Sequence, residues 1–279
     1  MEAKNLANPV IRVISVLDCF SQFEPELSAA DIRRKTGISK ATLHRILITL
    51  TNRRLLDKNQ KTGMYKIGPE LYTMGSLYLS TTDVLKGAEP VIKELNDLTG
   101  EAVNISIFDK GYVTLIMKEE TKSIFRFSVR IGTIIPAYAS SMGKALLSEL
   151  TDEEIDSLYP EEKLHQLTPK TIATRTELKK ELEQIRKTGV SFSKEGTHEG
   201  LFGVASAIRD ASGKGIAGMS IALPIAKINQ TTSDRLATLI RMGASLISYR
   251  LGYNDTVNPI RDIQEIRVWW QQNKPCSTT

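Results

Sequence analysis

This chain is poor in the residues that most secreted, metal-binding and catalytic proteins depend on. Cys19 and Cys276 are its two cysteines and lie near opposite ends of 279 residues. His44, His165 and His198 are its three histidines and share no ligand spacing with each other or with either cysteine. Neither a disulfide framework nor a metal site is expected, and a reducing cytoplasm is. There is no apolar run of about 20 residues and no signal-peptide pattern, so the reading is a cytoplasmic chain without a membrane span. No Gly-x-Ser-x-Gly elbow is present. Gly143-Lys144 is not a phosphate loop, because Tyr138 takes the required glycine position and Ala145 the hydroxyl position. Gly213-Lys214 reads as turn chemistry. Lys144 is read as a helix-surface ion pair rather than a Schiff-base lysine. With no assembled nucleophile, base or metal, the chain is expected to be neither an enzyme nor a cofactor carrier.

What remains is an ordinary globular composition with an uneven charge. Hydrophobic residues make up 41% and charged residues 25%, enough for real cores in two domains. The formal net charge is +5. Residues 1–68 hold twelve basic and six acidic side chains, a surplus of six, while residues 69–279 are close to neutral. A basic head on a neutral body suits a DNA-binding domain joined to something that does not touch DNA.

Residues 27–50, LSAADIRRKTGISKATLHRILITL, read as two short helices around a tight turn. Leu27, Ala30 and Ile32 give the first helix a buried side, and Ser28 is placed to cap it. Gly37 stops that helix, and Ser39 caps the next. Leu43, Ile46, Leu47 and Leu50 then follow the i, i+3, i+4, i+7 stripe of a buried face. Ala41, Arg45 and Ile48 point the other way, with Lys40, Thr42, His44 and Thr49 beside them. A small, basic, hydroxyl-bearing outer face is what a helix needs to enter a DNA major groove. A core helical hairpin would share the stripe but has no use for that outer face.

The neighbouring segments extend this reading. A helix from Pro9 to about Phe20 carries Val10, Val13, Ile14 and Leu17 on one face, and Cys19 is read as a small core residue. Behind the second helix, residues 55–57 and 64–67 form a two-stranded hairpin around KNQKTG, a basic wing in which Lys58 and Lys61 can meet phosphates. Arg12, Arg33 and Arg34 are either phosphate contacts or a solvated face. Pro69 opens a helix with Leu71, Met74, Leu77 and Tyr78 on one side. A further helix, capped by Asp83, runs to Thr99 with a possible bend at Pro90. These two helices either pack on their own domains or dimerise.

Beyond Gly100 the pattern becomes α+β with an antiparallel sheet. Residues 102–108 alternate, with Val103, Ile105 and Ile107 opposite Asn104 and Ser106. Asp109-Lys110-Gly111 is a hairpin turn, residues 112–117 return, and residues 125–129 read as a third strand. AYASSMGKALL opens a helix at Ser141 or Met142. Thr151 with Glu154 and Thr174 with Glu177 have capping-box spacing. Residues 204–209 and 216–223 are strands, and Thr231 with Asp234 starts a long helix ended by Gly252. In the tail, Ile260, Ile263, Ile266, Val268, Trp269 and Trp270 describe a short amphipathic helix, packed on its own domain or covering a neighbouring subunit.

Four segments in this order resemble the isocitrate lyase regulator (IclR) family of bacterial transcription factors: ISKATLHRILITL, YKIGPEL, AYASSMGKALL and EGLFGVASAIRD with GMSIALP. The likeness covers residues 8–253. It implies a winged helix-turn-helix domain over 1–68, linker helices over 69–100 and a GAF-like effector-binding domain over 101–253, leaving 254–279 as a C-terminal extension with a short helix. It also implies a homodimer, or a dimer of dimers, on a palindromic double-stranded operator, and a small effector that is an organic acid or an aromatic compound.

The residues expected to face DNA are Ser39, Lys40, Ala41, Thr42, His44, Arg45, Thr49, Lys58 and Lys61. The family usually has serine at the position of Ala41, so one polar contact is missing. For the effector, backbone N–H groups at Ser140, Ser141 and Met142 offer an anion cradle. The resemblance adds Ser193, Gly203, Ser220 and Ala222. In members that bind small 2-oxo acids these four positions tend to be Asp, Cys, Ser and Ser, so this chain keeps only Ser220. The expectation is a carboxylate larger or less polar than glyoxylate or pyruvate. Asn104 and Ser106 either face that pocket or form a satisfied polar sheet face. The reading is therefore a DNA-binding regulator controlled by a small effector, with an architectural DNA-binding protein as the alternative.

Overall fold

A computed structural model describes residues 8–21, 24–80, 84–123, 127, 129–254 and 260–273. They divide into two compact units, Met1–Thr82 and Asp83–Thr279.

In the first unit, α1 (Asn8–Leu17), α2 (Ala29–Thr36) and α3 (Lys40–Asn52) surround a core of Val16, Leu27, Ile32, Ile38, Leu43, Leu47, Leu50, Leu56 and Tyr65. Ser28 forms a full capping box with Asp31, and Gly37 ends α2 in the left-handed conformation at φ 67°, where a side chain would be strained. The wing strands β2 (Leu56–Lys58) and β3 (Tyr65–Ile67) pair antiparallel, and β1 (Glu26–Leu27) adds a third strand on the other side of β3. A two-residue strand has no periodicity to read, so β1 is invisible in the sequence. Val10 and Ile14 correct the assignment for α1: they are 55% and 51% exposed, and Val13, Val16 and Leu17 pack inward instead. Helix α1 is apolar over a wide arc, and the i, i+4 rule cannot tell which edge of such an arc is covered. Ala30 is likewise exposed, Ile46 is only half-buried, and the missed Ile38 closes the core. Cys19 is half-buried, its thiol donating to the Ser15 carbonyl at 3.2 Å. The unit ends with α4 (Pro69–Ser80), on which Met74 and Leu77 face outward; the side chain of Tyr78 is outside the described residues.

The second unit is built on a six-stranded antiparallel sheet in the order β6-β5-β4-β9-β8-β7. Its strands are β4 (Ala102–Asp109), β5 (Tyr112–Glu119), β6 (Ile134–Pro136), β7 (Ser191–Lys194), β8 (Leu201–Arg209) and β9 (Gly215–Pro224). Asp109 pairs with Tyr112 across Lys110 and Gly111, both at positive φ, as a two-residue hairpin requires. Val103, Ile105, Phe202, Val204, Met219 and Ile221 project from one sheet face into a large core beneath α5 (Val84–Thr99), which contains Pro90, and α9 (Gln230–Arg250). The other face meets α6 (Ser141–Leu147), α7 (Asp152–Leu158) and α8 (Arg175–Thr188). Both faces are buried, as a three-layer α+β domain demands.

Three details differ from the sequence reading. The third strand of the meander is β6; of residues 125–129, Phe127 and Val129 are not in a strand and the remainder lies outside the described residues. The short β7 was missed. The cap of α9 is Asn229, whose side chain accepts from the Thr232 N–H at 2.9 Å, and not Thr231. The expected cap Asp83 lies outside the described residues. Thr151 and Thr174 cap α7 and α8 as their spacing predicts.

The tail folds back as α10 (Ile263–Gln272) onto α5 and α9 of its own domain. Ile266 is fully buried, and Ile260, Ile263, Trp269 and Trp270 pack around it, while Val268 faces out. The Arg267 guanidinium grips the buried Glu94 carboxylate with two bonds of 2.5 and 2.6 Å, and Arg235 stacks 3.9 Å from the Trp270 ring centre. No helix among the described residues is long and apolar enough to cross a membrane.

Candidate nucleic-acid interface and ligand pocket

The first candidate surface is the outer face of α3 with the wing. Ser39 starts the helix by accepting from the Thr42 N–H at 3.4 Å, and its own hydroxyl donates to Thr42 Oγ1 at 3.0 Å. These two hydroxyls hold each other, which fixes the helix start and leaves Lys40, Ala41, His44, Arg45 and Ile48 as the exposed surface. Thr49 is exposed too, but its hydroxyl donates to the Arg45 carbonyl at 2.9 Å. Leu43, Leu47 and Leu50 anchor the opposite face in the core, so the basic face cannot roll inward.

In the wing, Asn59 Oδ1 accepts from the Lys61 and Thr62 N–H groups at 2.9 and 3.2 Å and shapes the tip that carries Lys61. Lys58 lies 5.4 Å from the Tyr65 ring centre. Among the described residues the ion pairs of this unit are Arg34–Asp31, Lys35–Glu24 and Lys66–Asp57, and none engages Lys40, Arg45, Lys58 or Lys61. Arg34 is thus partly a partner for the α2 cap. Arg33 lies with Lys40 and His44 along a groove between α2 and α3 whose floor is Leu43, Leu47 and Tyr65. A fixed, small-residue, basic helix beside a basic loop can approach a polyanion closely and hydrogen-bond along it.

The second candidate is a cavity of about 60 Å3, partly open to solvent, between the sheet and the start of α6. Asn104, Ser140, Ser141, Met142, Ser193, Gly203, Ser220 and Ala222 all line it. Ser106, the ninth residue expected there, does not. It lies two residues beyond Asn104 past an irregularity in β4 and is fully buried, its hydroxyl without a partner. The alternative of a satisfied polar sheet face is also corrected, because Asn104 Oδ1 is buried and unpartnered as well.

The mouth of α6 is held from several sides. Ser140 Oγ accepts from the Gly143 N–H at 3.0 Å, and the Ser140 carbonyl accepts from the Lys144 N–H at 3.0 Å. The N–H groups of Ser141 and Met142 precede the first helical hydrogen bonds and have no acceptor within the helix itself. Ser193 donates to the Ala139 carbonyl at 3.0 Å, which ties β7 to the turn before the helix. Gly203 has a steric reason: a Cβ there would stand 2.7 Å from Ser141 Oγ.

The loop from Glu195 to Gly200 brings Thr197 and His198 to the cavity, and Leu115, Val129, Ile135 and Leu201 supply its apolar wall. Thr168 and Thr171 pin this loop by donating to the Glu195 and Gly196 carbonyls at 2.6 and 2.7 Å. Sequence reasoning missed these six lining residues. The wall residues Leu115 and Ile135 carried an ordinary core signal, and Thr197 and His198 arrive by a loop return that no local pattern records.

Lys144 corrects another assignment. It is an ion-pair partner, but its place is the interior: it is 5% exposed and bound to Glu181 of α8. Burial lowers its pKa, and the Glu181 carboxylate opposes that shift. It does not line the cavity and so cannot act on a molecule there. No cluster of three or more metal-ligating side chains occurs among the described residues.

Both units have matches among known proteins. Residues 9–60 match the family model of the IclR helix-turn-helix domain, and residues 76–249 match that of the bacterial transcriptional regulator IclR C-terminal domain. The HTH-type transcriptional repressor AllR of Escherichia coli (strain K12) is 32% identical over 250 residues, covering 90% of this chain and 92% of its own length. The acetate operon repressor of Salmonella typhimurium is 28% identical over 86% of this chain and 89% of its own. Among solved structures, a transcriptional regulator from Rhodococcus sp. RHA1 superimposes with a TM-score of 0.77 at 28% identity, covering 91% of this chain and all of that one. The helix α10 lies beyond the matched residues.

Proposed function

The chain belongs to the IclR family of bacterial transcriptional regulators and carries its helix-turn-helix domain, and from that premise we propose that it is a repressor whose grip on DNA is set by a small carboxylate. Ser39, Lys40, Ala41, Thr42, His44, Arg45 and Thr49 face the major groove, and Lys58 and Lys61 meet phosphates beside it. The exposed apolar edges of α1 and α4 support a homodimer, or a pair of dimers, that places two such heads on a palindromic operator. The likeness to relatives named as repressors supports repression over activation.

The observation that carries the effector reading is that Ser140, Ser141 and Met142 at the start of α6 meet Ser193, Gly203, Ser220 and Ala222 of the sheet on one cavity. The carboxylate lies at the Ser141 and Met142 N–H groups, where helix start and anion attract, with Ser220 beside it. The methyl of Ala222 gives a smaller and less polar wall than serine would, which supports an effector less polar than a two- or three-carbon keto acid. By binding two arrangements of the dimer unequally, the effector shifts operator affinity through residues 69–100.

The test is the melting temperature of the full chain with glyoxylate, pyruvate, benzoate and phenylacetate. At 100 times its Kd a ligand stabilises the native state by about 2.7 kcal/mol. The larger acids are expected to raise the midpoint. Micromolar binding of pyruvate with no response to larger acids would overturn the polarity argument. An architectural protein would respond to none of the four.

A further inference from the structure

At about 60 Å3 the cavity at the start of α6 is tight. Benzene occupies an engineered cavity of about 150 Å3, and small-molecule sites run from roughly 300 Å3 upward. One wall must therefore move before a molecule of that kind is enclosed. Most of the walls are fixed. Asn104, Leu115, Ser193, Gly203, Ser220 and Ala222 sit in hydrogen-bonded strands of the sheet, and Met142 belongs to the buried helix α6. Val129 lies outside the strands, but the buried Lys118 ammonium donates to its carbonyl at 2.7 Å.

The loop of residues 195–200 is held differently. It joins β7 to β8 and reaches the cavity with Thr197 and His198. Its root closes at Glu195, whose N–H donates to the Leu201 carbonyl at 2.7 Å and whose carboxylate accepts from the Gly200 N–H at 2.8 Å. Gly200 and Glu195 both stand in the left-handed region, at φ 77° and 60°. Glycine adopts that conformation freely. Glutamate does not, and such strain persists only where surrounding contacts impose it.

Those contacts come from outside the loop. Thr168 and Thr171, both buried in the stretch between α7 and α8, donate to the Glu195 and Gly196 carbonyls at 2.6 and 2.7 Å. Thr171 Oγ1 is itself set by accepting from the Leu167 and Thr168 N–H groups at 3.0 and 2.9 Å. The Tyr138 hydroxyl donates to the His165 carbonyl at 2.7 Å, so the stretch is anchored independently of the loop. Gly196 is pressed against the turn before α6, where a Cβ would stand 2.5 Å from the Ala139 carbonyl oxygen. The loop is thus seated on the mouth of the cavity and held there by two hydroxyls.

We propose that residues 195–200 are a lid over the cavity, latched by Thr168 and Thr171, with the strained Glu195 as the spring that favours opening. When the two hydroxyls let go, Glu195 returns to negative φ, and Thr197 and His198 swing off the wall about Gly200. Thr168 and Thr171 do not line the cavity and act only through the loop backbone, so they are positioning residues. The lid rests on the reading of this cavity as a ligand site.

Its test needs no ligand. In the full chain with Cys19 and Cys276 replaced by serine, one thiol is introduced by Ser220→Cys on the cavity wall, or by Ala244→Cys in the core on the other sheet face. Labelling by iodoacetamide is followed by mass spectrometry, beside a thermal melt of each protein. Lid opening exposes only the first thiol, whereas global unfolding exposes both. The first is expected to label at least ten-fold faster than the second. Thr171→Val leaves the Gly196 carbonyl unmade in the closed loop, and is expected to raise the first rate by about five-fold or more relative to the second. Equal labelling at the two positions, no acceleration in Thr171→Val, or a rise shared equally by both thiols overturns the lid while the carboxylate reading stands. Acids that all fail to raise the melting temperature overturn that reading, and the labelling rates then still decide whether the loop opens.

Discussion

Replacing Arg45 with alanine is expected to weaken operator binding by 5- to 150-fold while the protein melts where it did before. Arg45 stands on the exposed face of α3, and among the described residues no ion pair engages it. Truncating it leaves the buried Leu43, Leu47 and Leu50 stripe untouched. A bidentate arginine contact to a guanine edge is worth about 1–3 kcal/mol, which sets that range. The loss should also concentrate on one operator position. Lys61→Ala at the wing tip should instead weaken all sequences alike and reduce the salt slope by about one. Fluorescence anisotropy against an operator duplex and its single-position variants, with a thermal melt of each protein, separates these cases. A fall in melting temperature that matches the loss of binding would mean that Arg45 holds the domain together and does not read DNA.

Gly143→Ala is expected to destabilise the second unit by more than about 3 kcal/mol, at the upper edge of what overpacking usually costs. Helix propensity alone gives the opposite sign, because alanine in a helix is favoured over glycine by about 1 kcal/mol. The site decides against propensity. Every residue of α6 is buried, and a Cβ on Gly143 would land inside the backbone of Ala137. That backbone cannot yield cheaply: the Ala137 N–H donates to Gly111, the Tyr138 hydroxyl to the His165 carbonyl, and Ser193 holds Ala139. Helix α6 must therefore lift away from the sheet, taking Ser141 and Met142 out of the cavity. Calorimetry should show the second unit melting earlier and the helix-turn-helix unit unchanged, with no effector response. A variant as stable as the parent would show that the turn before α6 is softer than its hydrogen bonds imply.

The legible parts of this molecule are those whose physics is local. Caps at Ser28, Ser39, Thr151 and Thr174, the stop at Gly37 and the hairpin at Lys110-Gly111 all rest on a few adjacent residues. The stripe of α3 was readable because one face is strongly apolar and the other basic. Where the apolar arc is broad, as on α1, the choice of buried edge depended on neighbours that the sequence does not order, and Val10 and Ile14 were placed on the wrong side. The cavity was partly legible because the family resemblance named positions on four separate segments that register then brings together. Thr197 and His198 were not, since only the loop pinned by Thr168 and Thr171 delivers them. The interior position of Lys144 was hidden for the same reason: its partner Glu181 lies on a different helix.

The central claim is that one molecule joins the two surfaces. Its most direct test is the affinity of the full chain for a duplex selected by the protein itself from random sequence, measured with and without a saturating acid that raises its melting temperature. The account expects a palindromic duplex with half-sites about one helical turn apart, or a multiple of that. It expects the acid to weaken binding by five-fold or more, within the range of ordinary allosteric coupling. An acid that binds the cavity and stabilises the protein, yet leaves operator affinity unchanged, would contradict it.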